Sequence, residues 1–226
     1  MLLRIIKAEF FLVRIPLRFS VEHALASRTA NTTGFVVLTA EDGSLGIGEF
    51  LCREYVTGET LEDCLHCLKQ IAPLLARSII ENPIPLIQSL WDSSAGLRGK
   101  YATICAIELA LFDLWGKHQG KPVAEILCPG AWWSHQTFVY SAVYPFASGL
   151  KLLALHLFYC RLMRLTHVKV KGTGDIEKDL AYVQEIRRSF PYPVQARLDL
   201  NGSLSPNRAD EYFSRMLKSK DGVTWF

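Results

Sequence analysis

Beyond Gly130 the chain settles into an alternation that leaves few architectures open. Residues 138–143, 167–171 and 193–200 are short apolar runs that read as strands, and residues 223–226 begin another. Between them, residues 145–165, 175–189 and 206–217 read as helices. The second of these places Ile176, Leu180, Val183 and Ile186 on one face, and the third starts with a proline suited to a first helical turn. Strand and helix in strict alternation build a parallel sheet with right-handed crossovers. No glycine-rich dinucleotide fingerprint follows the first of these strands, which disfavours a nucleotide-binding doubly wound sheet. The alternative is a (β/α) barrel, whose chemistry sits at the carboxyl ends of its strands.

The amino-terminal part follows another grammar. Residues 2–15, 34–39 and 46–50 read as an antiparallel three-stranded meander, with Glu41-Asp42-Gly43 as one turn. Residues 16–33 are polar and long for a hairpin loop, and long loops in compact domains tend to be functional. Helices are expected at 59–77, 85–93 and 100–118, with a further turn or two at 123–127. The helix at 100–118 carries Ile104, Ile107, Leu111 and Leu114 at 3-4 spacing, and Gly120-Lys121-Pro122 stops it.

Composition removes several function classes. Of 226 residues, 50% are apolar and 21% charged, which fits a folded chain. The net charge of +3 is spread thinly, without a basic run that would mark nucleic-acid binding. The first ten residues have charges inside their apolar stretch, unlike a signal peptide. The most apolar segment, 150–165, is interrupted by Lys151, His156, Arg161 and Arg164 and falls short of the about 20 residues a bilayer span needs. No membrane partner is expected, and the setting is read as a reduced cytoplasm. Of six cysteines, Cys64 and Cys67 form a C-x-x-C without a second pair at zinc-like spacing, so ordinary half-buried thiols are the reading there.

The chemistry-bearing residues lie at strand ends. Lys169 and Lys171 are two apart on a strand, so both point to one face. Two ammonium groups facing one confined space repel, which suits one of them to act as a base. Val168 and Val170 mark the other face as buried, against a solvated edge strand. One strand later Asp199 and Asn201 repeat the relation. A strand-end carboxylate suits Mg²⁺; taken alone Asp199 reads rather as a cap on the turn into Asn201-Gly202, and the adjacent lysine strand shifts the balance toward the metal. A metal that stabilises an enolate beside a lysine that takes an α-proton is an established catalytic pairing. Glu49 and Glu108 carry less signal, Glu108 reading as a structural carboxylate with a local partner. Trp132-Trp133 reads as interdomain packing. His23 and Arg28 lie in the long first loop, and Arg53, Glu54 and Tyr55 follow the third strand, where a surface turn is an equal reading.

Four motifs in order resemble the muconate-lactonizing (mandelate racemase/muconate cycloisomerase-like) subgroup of the enolase superfamily. Residues 43–49, Gly-Ser-Leu-Gly-Ile-Gly-Glu, resemble its G-x-x-G-x-G-E, and residues 106–113, Ala-Ile-Glu-Leu-Ala-Leu-Phe-Asp, its A-I-E-x-A-L-x-D. Lys169-Val170-Lys171 is similar to its K-x-K, and Asp199-Leu200-Asn201 to its D-x-N. The resemblance implies an α+β capping domain at 1–133 followed by an incomplete (β/α) TIM-type barrel at 134–226, cut in its fourth strand. It implies Lys171 as acid/base, Lys169 as its electrostatic support, Asp199 as a Mg²⁺ ligand and Asn201 as polar support of the metal. It also implies that residues 16–33 and 53–57 close over the substrate, making His23, Arg28, Arg53 and Tyr55 candidate substrate contacts. Two departures stand out: Gly172 follows Lys171 directly, and the remaining carboxylate ligands of the family have no counterpart before Phe226.

The expected function is Mg²⁺-assisted removal of a proton α to a carboxylate, from a dipeptide or a cyclic acid. Epimerisation of a dipeptide is preferred, on the acidic stretch at 174–179, over an o-succinylbenzoate synthase or muconate cycloisomerase-like lyase. The non-catalytic expectation is a truncated module that binds a partner or forms a homo-oligomer through strand edges. A phosphate site at Gly172-Thr173-Gly174 is disfavoured, since the loop has no Walker lysine.

Overall fold

The computed structural model describes residues 2–23, 26–92, 97, 99–130, 137–144 and 150–218, without the side chains of 19–23, 26–27, 150–154 and 156. Trp132-Trp133, the strand expected at 223–226 and the His23 side chain lie outside the described residues. The chain divides into two compact units, Met1–Pro16 with Ala30–Ser134, and Leu17–Thr29 with His135–Phe226.

The antiparallel sheet has four strands, β1 (Leu3–His23), β2 (Ala26–Ala40), β3 (Leu45–Phe50) and β4 (Ile79–Ile80), in the order β3-β2-β1-β4. β2 and β3 pair from Gly34↔Phe50 to Thr39↔Leu45, and β4 pairs with β1 through Leu3↔Ile80. The long loop expected at 16–33 is not a loop. β1 continues to His23 and β2 starts at Ala26. Strand order comes from the backbone ladder between neighbouring strands, which side-chain polarity does not announce.

Helices α1 (Glu54–Thr57), α2 (Leu61–Leu75), α3 (Pro83–Asp92), α4 (Tyr101–Gln119) and α5 (Val123–Leu127) complete this unit. Ile104, Ile107, Leu111 and Leu114 of α4 are buried with Leu3, Ile5, Val36, Leu38, Ile71 and Leu75. The contact of α4 with β3 explains two of the motifs. Gly46 and Gly48 share the buried face of β3, and a Cβ at Gly48 would lie 1.9 Å from the Ala106 carbonyl oxygen. One at Gly46 would lie 2.2 Å from the Ala110 carbonyl oxygen, so the helix backbone rests directly on the strand. β3 is also a sheet edge, and α4 satisfies it. Asp113 Oδ2 accepts from Ile47 N at 2.9 Å, and Lys117 Nζ donates to the Leu45 carbonyl at 2.7 Å. Glu108 accepts from Trp91 Nε1 at 2.9 Å, the local partner expected of it.

The first turn of α4 has no cap of its own, because Lys100 at the N-cap makes no side-chain bond there. Glu59, 1% exposed, replaces it: its carboxylate accepts from Ala102 N at 2.7 Å, Thr103 N at 3.4 Å and Thr103 Oγ1 at 3.3 Å. Glu59→Ala strands those buried donors and is expected to cost about 3 kcal/mol, with Glu59→Gln costing less. Urea unfolding followed by circular dichroism checks the order; equal midpoints for all three proteins would refute the capping role.

The second unit contains a three-stranded parallel sheet, β5 (Ser141–Tyr144), β6 (His167–Lys171) and β7 (Gln195–Asp199), in that order. The helices are α6 (Leu150–Leu162), α7 (Ile176–Arg188) and α8 (Pro206–Lys218). Tyr144, Val168, Val170, Ala196 and Leu198 are buried with Val183, Ile186 and Met216. An antiparallel sheet with helices followed by parallel β/α units matches the fold class expected from the sequence. Among the described residues no helix is long and apolar enough to cross a membrane.

Candidate active site

Parallel pairing brings the two polar strand ends together. The register sets Lys169 beside Arg197 and Lys171 beside Asp199, all on the face away from the buried valines. Asp199 Oδ2 lies 2.6 Å from Lys169 Nζ and 2.7 Å from Lys171 Nζ. Lys171 Nζ also donates to Asn201 Oδ1 at 2.7 Å. The ammonium groups therefore share one carboxylate oxygen as counter-ion, which offsets the repulsion that their spacing alone implies.

The other oxygen of Asp199 has a different duty. Asp199 Oδ1 accepts from Asn201 N at 3.1 Å, closing the turn in which Asn201 (φ 50°) and Gly202 (φ 72°) adopt left-handed backbone. Turn capping and charge pairing thus coexist in one side chain. Burial works to raise the Asp199 carboxyl, but the bonds and charges of Lys169 and Lys171 outweigh it and hold it at about 2, below its usual 3.8.

That depression has a pH consequence. A carboxyl lowered in the folded state stabilises the fold above its unfolded value, and the contribution is lost as pH falls through the folded value. Stability from Asp199 should therefore drain away as pH falls from 3.8 to about 2. Asp199→Asn is expected to flatten this part of the acid limb, measured as melting temperature against pH beside the unaltered protein; parallel limbs would contradict it.

Lys169, Arg197, Asp199, Asn201 and Phe213 line a cavity of about 380 Å³. Arg197 is a lining residue that the motifs do not single out; its period-two spacing from Asp199 is the signal that could have found it. Gly172, directly after Lys171, leaves room for two leucines: a Cβ would lie 2.8 Å from Leu200 Cδ2 and 3.2 Å from Leu198, side chains that would have to turn aside. The acidic stretch at 174–179 has structural work. Asp175 caps α7 by accepting from Glu177 N and Lys178 N. Asp179, 1% exposed, accepts from Thr173 N, Thr173 Oγ1, Gly174 N and Tyr212 Oη at 2.6 to 3.1 Å. That stretch therefore lends no weight to an epimerase. A second hollow of about 350 Å³ beside Arg208 and Arg215 holds cations already engaged, by the Gly174 carbonyl and by Glu177.

The remaining candidates are more scattered. Arg53 Nη2 donates to Asn31 Oδ1 at 3.1 Å, and Tyr55 is exposed in α1. Arg28 lies on β2, partly exposed. As a metal centre, the cluster offers a hard oxygen from Asp199 and an amide oxygen from Asn201. Among the described residues no group of three or more His, Cys, Asp or Glu side chains could hold a metal ion. The donor chemistry suits Mg²⁺ in kind but not in number.

Residues 5–128 match the family model described as mandelate racemase / muconate lactonizing enzyme, N-terminal domain. The L-Ala-D/L-Glu epimerase of Bacillus subtilis is 28% identical over 227 residues, covering 98% of this chain and 59% of its own. Its substrate-liganded structure aligns with a TM-score of 0.81 at 22% identity, over 97% of this chain and 60% of that one. The N-succinyl-L-Arg/Lys racemase of Bacillus cereus is 24% identical over 202 residues, 88% of this chain and 52% of its own. A dipeptide epimerase from Methylococcus capsulatus, solved with Mg and the dipeptide L-Arg-D-Lys, aligns with a TM-score of 0.75 at 24% identity, over 95% of this chain and 58% of that one. The chain thus spans between half and three-fifths of the length of these relatives.

Proposed function

Because the chain belongs to the mandelate racemase / muconate lactonizing enzyme family of the enolase superfamily, we propose that it carries the lysine-bearing part of a site that removes a proton α to a carboxylate. The observation that carries this reading is the convergence of Lys169 and Lys171 on Asp199, at the carboxyl ends of adjacent parallel strands. Lys171 is the acid/base on one face of the substrate, where its Nζ donates to Asp199 and Asn201; inversion at the α-carbon then takes a proton from a second acid on the opposite face, supplied from outside the described residues. Lys169 adds a second positive charge, which favours carboxylate binding and the build-up of negative charge on it. Asn201 fixes the Lys171 amine through its side-chain oxygen.

Asp199 is proposed as one Mg²⁺ ligand, with the others supplied from outside the described residues. When bound, the metal provides Lewis-acid stabilisation of an enediolate oxygen. The substrate is proposed to be a dipeptide, and the reaction epimerisation at its α-carbon; relatives named as dipeptide epimerases support this choice. His23, Arg28, Arg53 and Tyr55 are proposed substrate contacts, and the proposed setting is the cytoplasm.

The test is incubation of the protein, isolated at its native length, with L-Ala-L-Glu and Mg²⁺ in D₂O. The expected result is deuterium at the glutamyl α-carbon together with L-Ala-D-Glu. Exchange without epimer would point to a lyase-type relative, and no exchange at saturating Mg²⁺ would sink the epimerase reading. The single carboxylate of the lysine cluster favours a second reading, a non-catalytic binding module. Tight Mg²⁺ binding by the native protein in calorimetry would remove it.

A further inference from the structure

We propose that Cys52 and Cys64 form an intrachain disulfide when the protein meets a peroxide. The sulfurs are 2.9 Å apart, and a disulfide bond is about 2.05 Å long, so they need approach by less than about 1 Å. Cys52 follows the end of β3 and is partly exposed; Cys64 is fully buried in the first turns of α2. The spacing in the sequence pointed to Cys64 with Cys67. The fold instead turns the Cys64 thiol away from its helical neighbour, toward Cys52 on one side and Glu59 Oε1, at 3.4 Å, on the other.

The chemistry balances with peroxide as the oxidant. The partly exposed Cys52 sulfur attacks one peroxide oxygen; an S–O bond forms, the O–O bond breaks and water leaves, giving a sulfenic acid. The Cys64 sulfur then attacks the Cys52 sulfur. The S–S bond forms, the S–O bond breaks, and the hydroxide departs as water with the Cys64 proton, which Glu59 is placed to relay. Two thiols lose two electrons, and one peroxide becomes two waters. Burial pushes both thiols up, so little thiolate is present and the pair closes slowly. Once closed, the bond ties the segment leading to Arg53 to α2, beside the carboxylate that caps α4.

The experiment is treatment of the unaltered protein with hydrogen peroxide, blocking of residual thiols, and peptide mapping by mass spectrometry without reductant. The expected product is a Cys52–Cys64 linked peptide that dithiothreitol separates, with a melting temperature raised by roughly 5 °C before reduction. Cys67→Ala should leave the link in place, and Cys52→Ser should abolish it. A Cys64–Cys67 link, or Cys52 carried to sulfinic acid with no link, would overturn the proposal.

Discussion

Gly48→Ala is expected to destabilise the first unit by about 3 kcal/mol or more, lowering its melting temperature by roughly 10 °C. The new methyl would stand 1.9 Å from the Ala106 carbonyl oxygen and 2.7 Å from Ala110 N. Both are backbone atoms in the middle of α4, so no side chain can turn aside. Moving α4 would pull Ile104, Ile107 and Leu111 out of the core they share with the sheet. It would also break the bonds by which Asp113 and Lys117 satisfy the β3 edge. Gly43 provides the contrast. Its φ of +83° makes an alanine there strained, yet nothing lies within 4 Å of the added carbon. Gly43→Ala should cost about 1 kcal/mol through the backbone alone. Thermal unfolding of the two variants by circular dichroism decides the matter; equal losses would mean that the glycine contact is not tight in solution.

Lys171→Ala is expected to reduce α-proton exchange in the native-length protein by about 1,000-fold or more, the scale of losing a positioned acid/base. The fold should survive, because Asp199 keeps Lys169 at 2.6 Å and its bond to Asn201 N. Lys169→Ala should fall less far, since Lys171 retains both its partners. Deuterium wash-in measured by NMR at saturating substrate separates these cases. A Lys169→Ala loss exceeding that of Lys171→Ala would reverse the roles assigned to them. Unchanged exchange in both would remove the lysines from the chemistry.

The parts of this molecule that the sequence made legible are those governed by local period. Val168 and Val170 against Lys169 and Lys171 announce a strand with one buried face, and the observed strand is His167–Lys171. The 3-4 spacing of Ile104, Ile107, Leu111 and Leu114 marks α4 as central. Backbone pairing was harder to read. The ribbon through residues 16–33 reads as a loop because its polar sequence conceals a ladder that the main chain makes. Contacts between distant residues were not legible at all. Glu59 reaches Ala102 across 43 positions, and a lone glutamate before a helix gives no hint of that target. The same holds for the site. Period two placed Lys169 with Lys171 and Asp199 with Asn201, but only the β6–β7 register brings both lysines onto the Asp199 carboxylate.

The Asp179 node governs how this surface can drift. One buried carboxylate holds two main-chain amides after Lys171, the Thr173 hydroxyl and the phenol of Tyr212 on α8. Replacing Asp179 strands every donor at once, and replacing Thr173 or Tyr212 leaves part of a buried charge unmet. The segment that follows the proposed base is therefore closed to stepwise substitution. Single replacements are survivable instead at exposed positions that hold no buried donor, as on the stretch of β1 at residues 11–16.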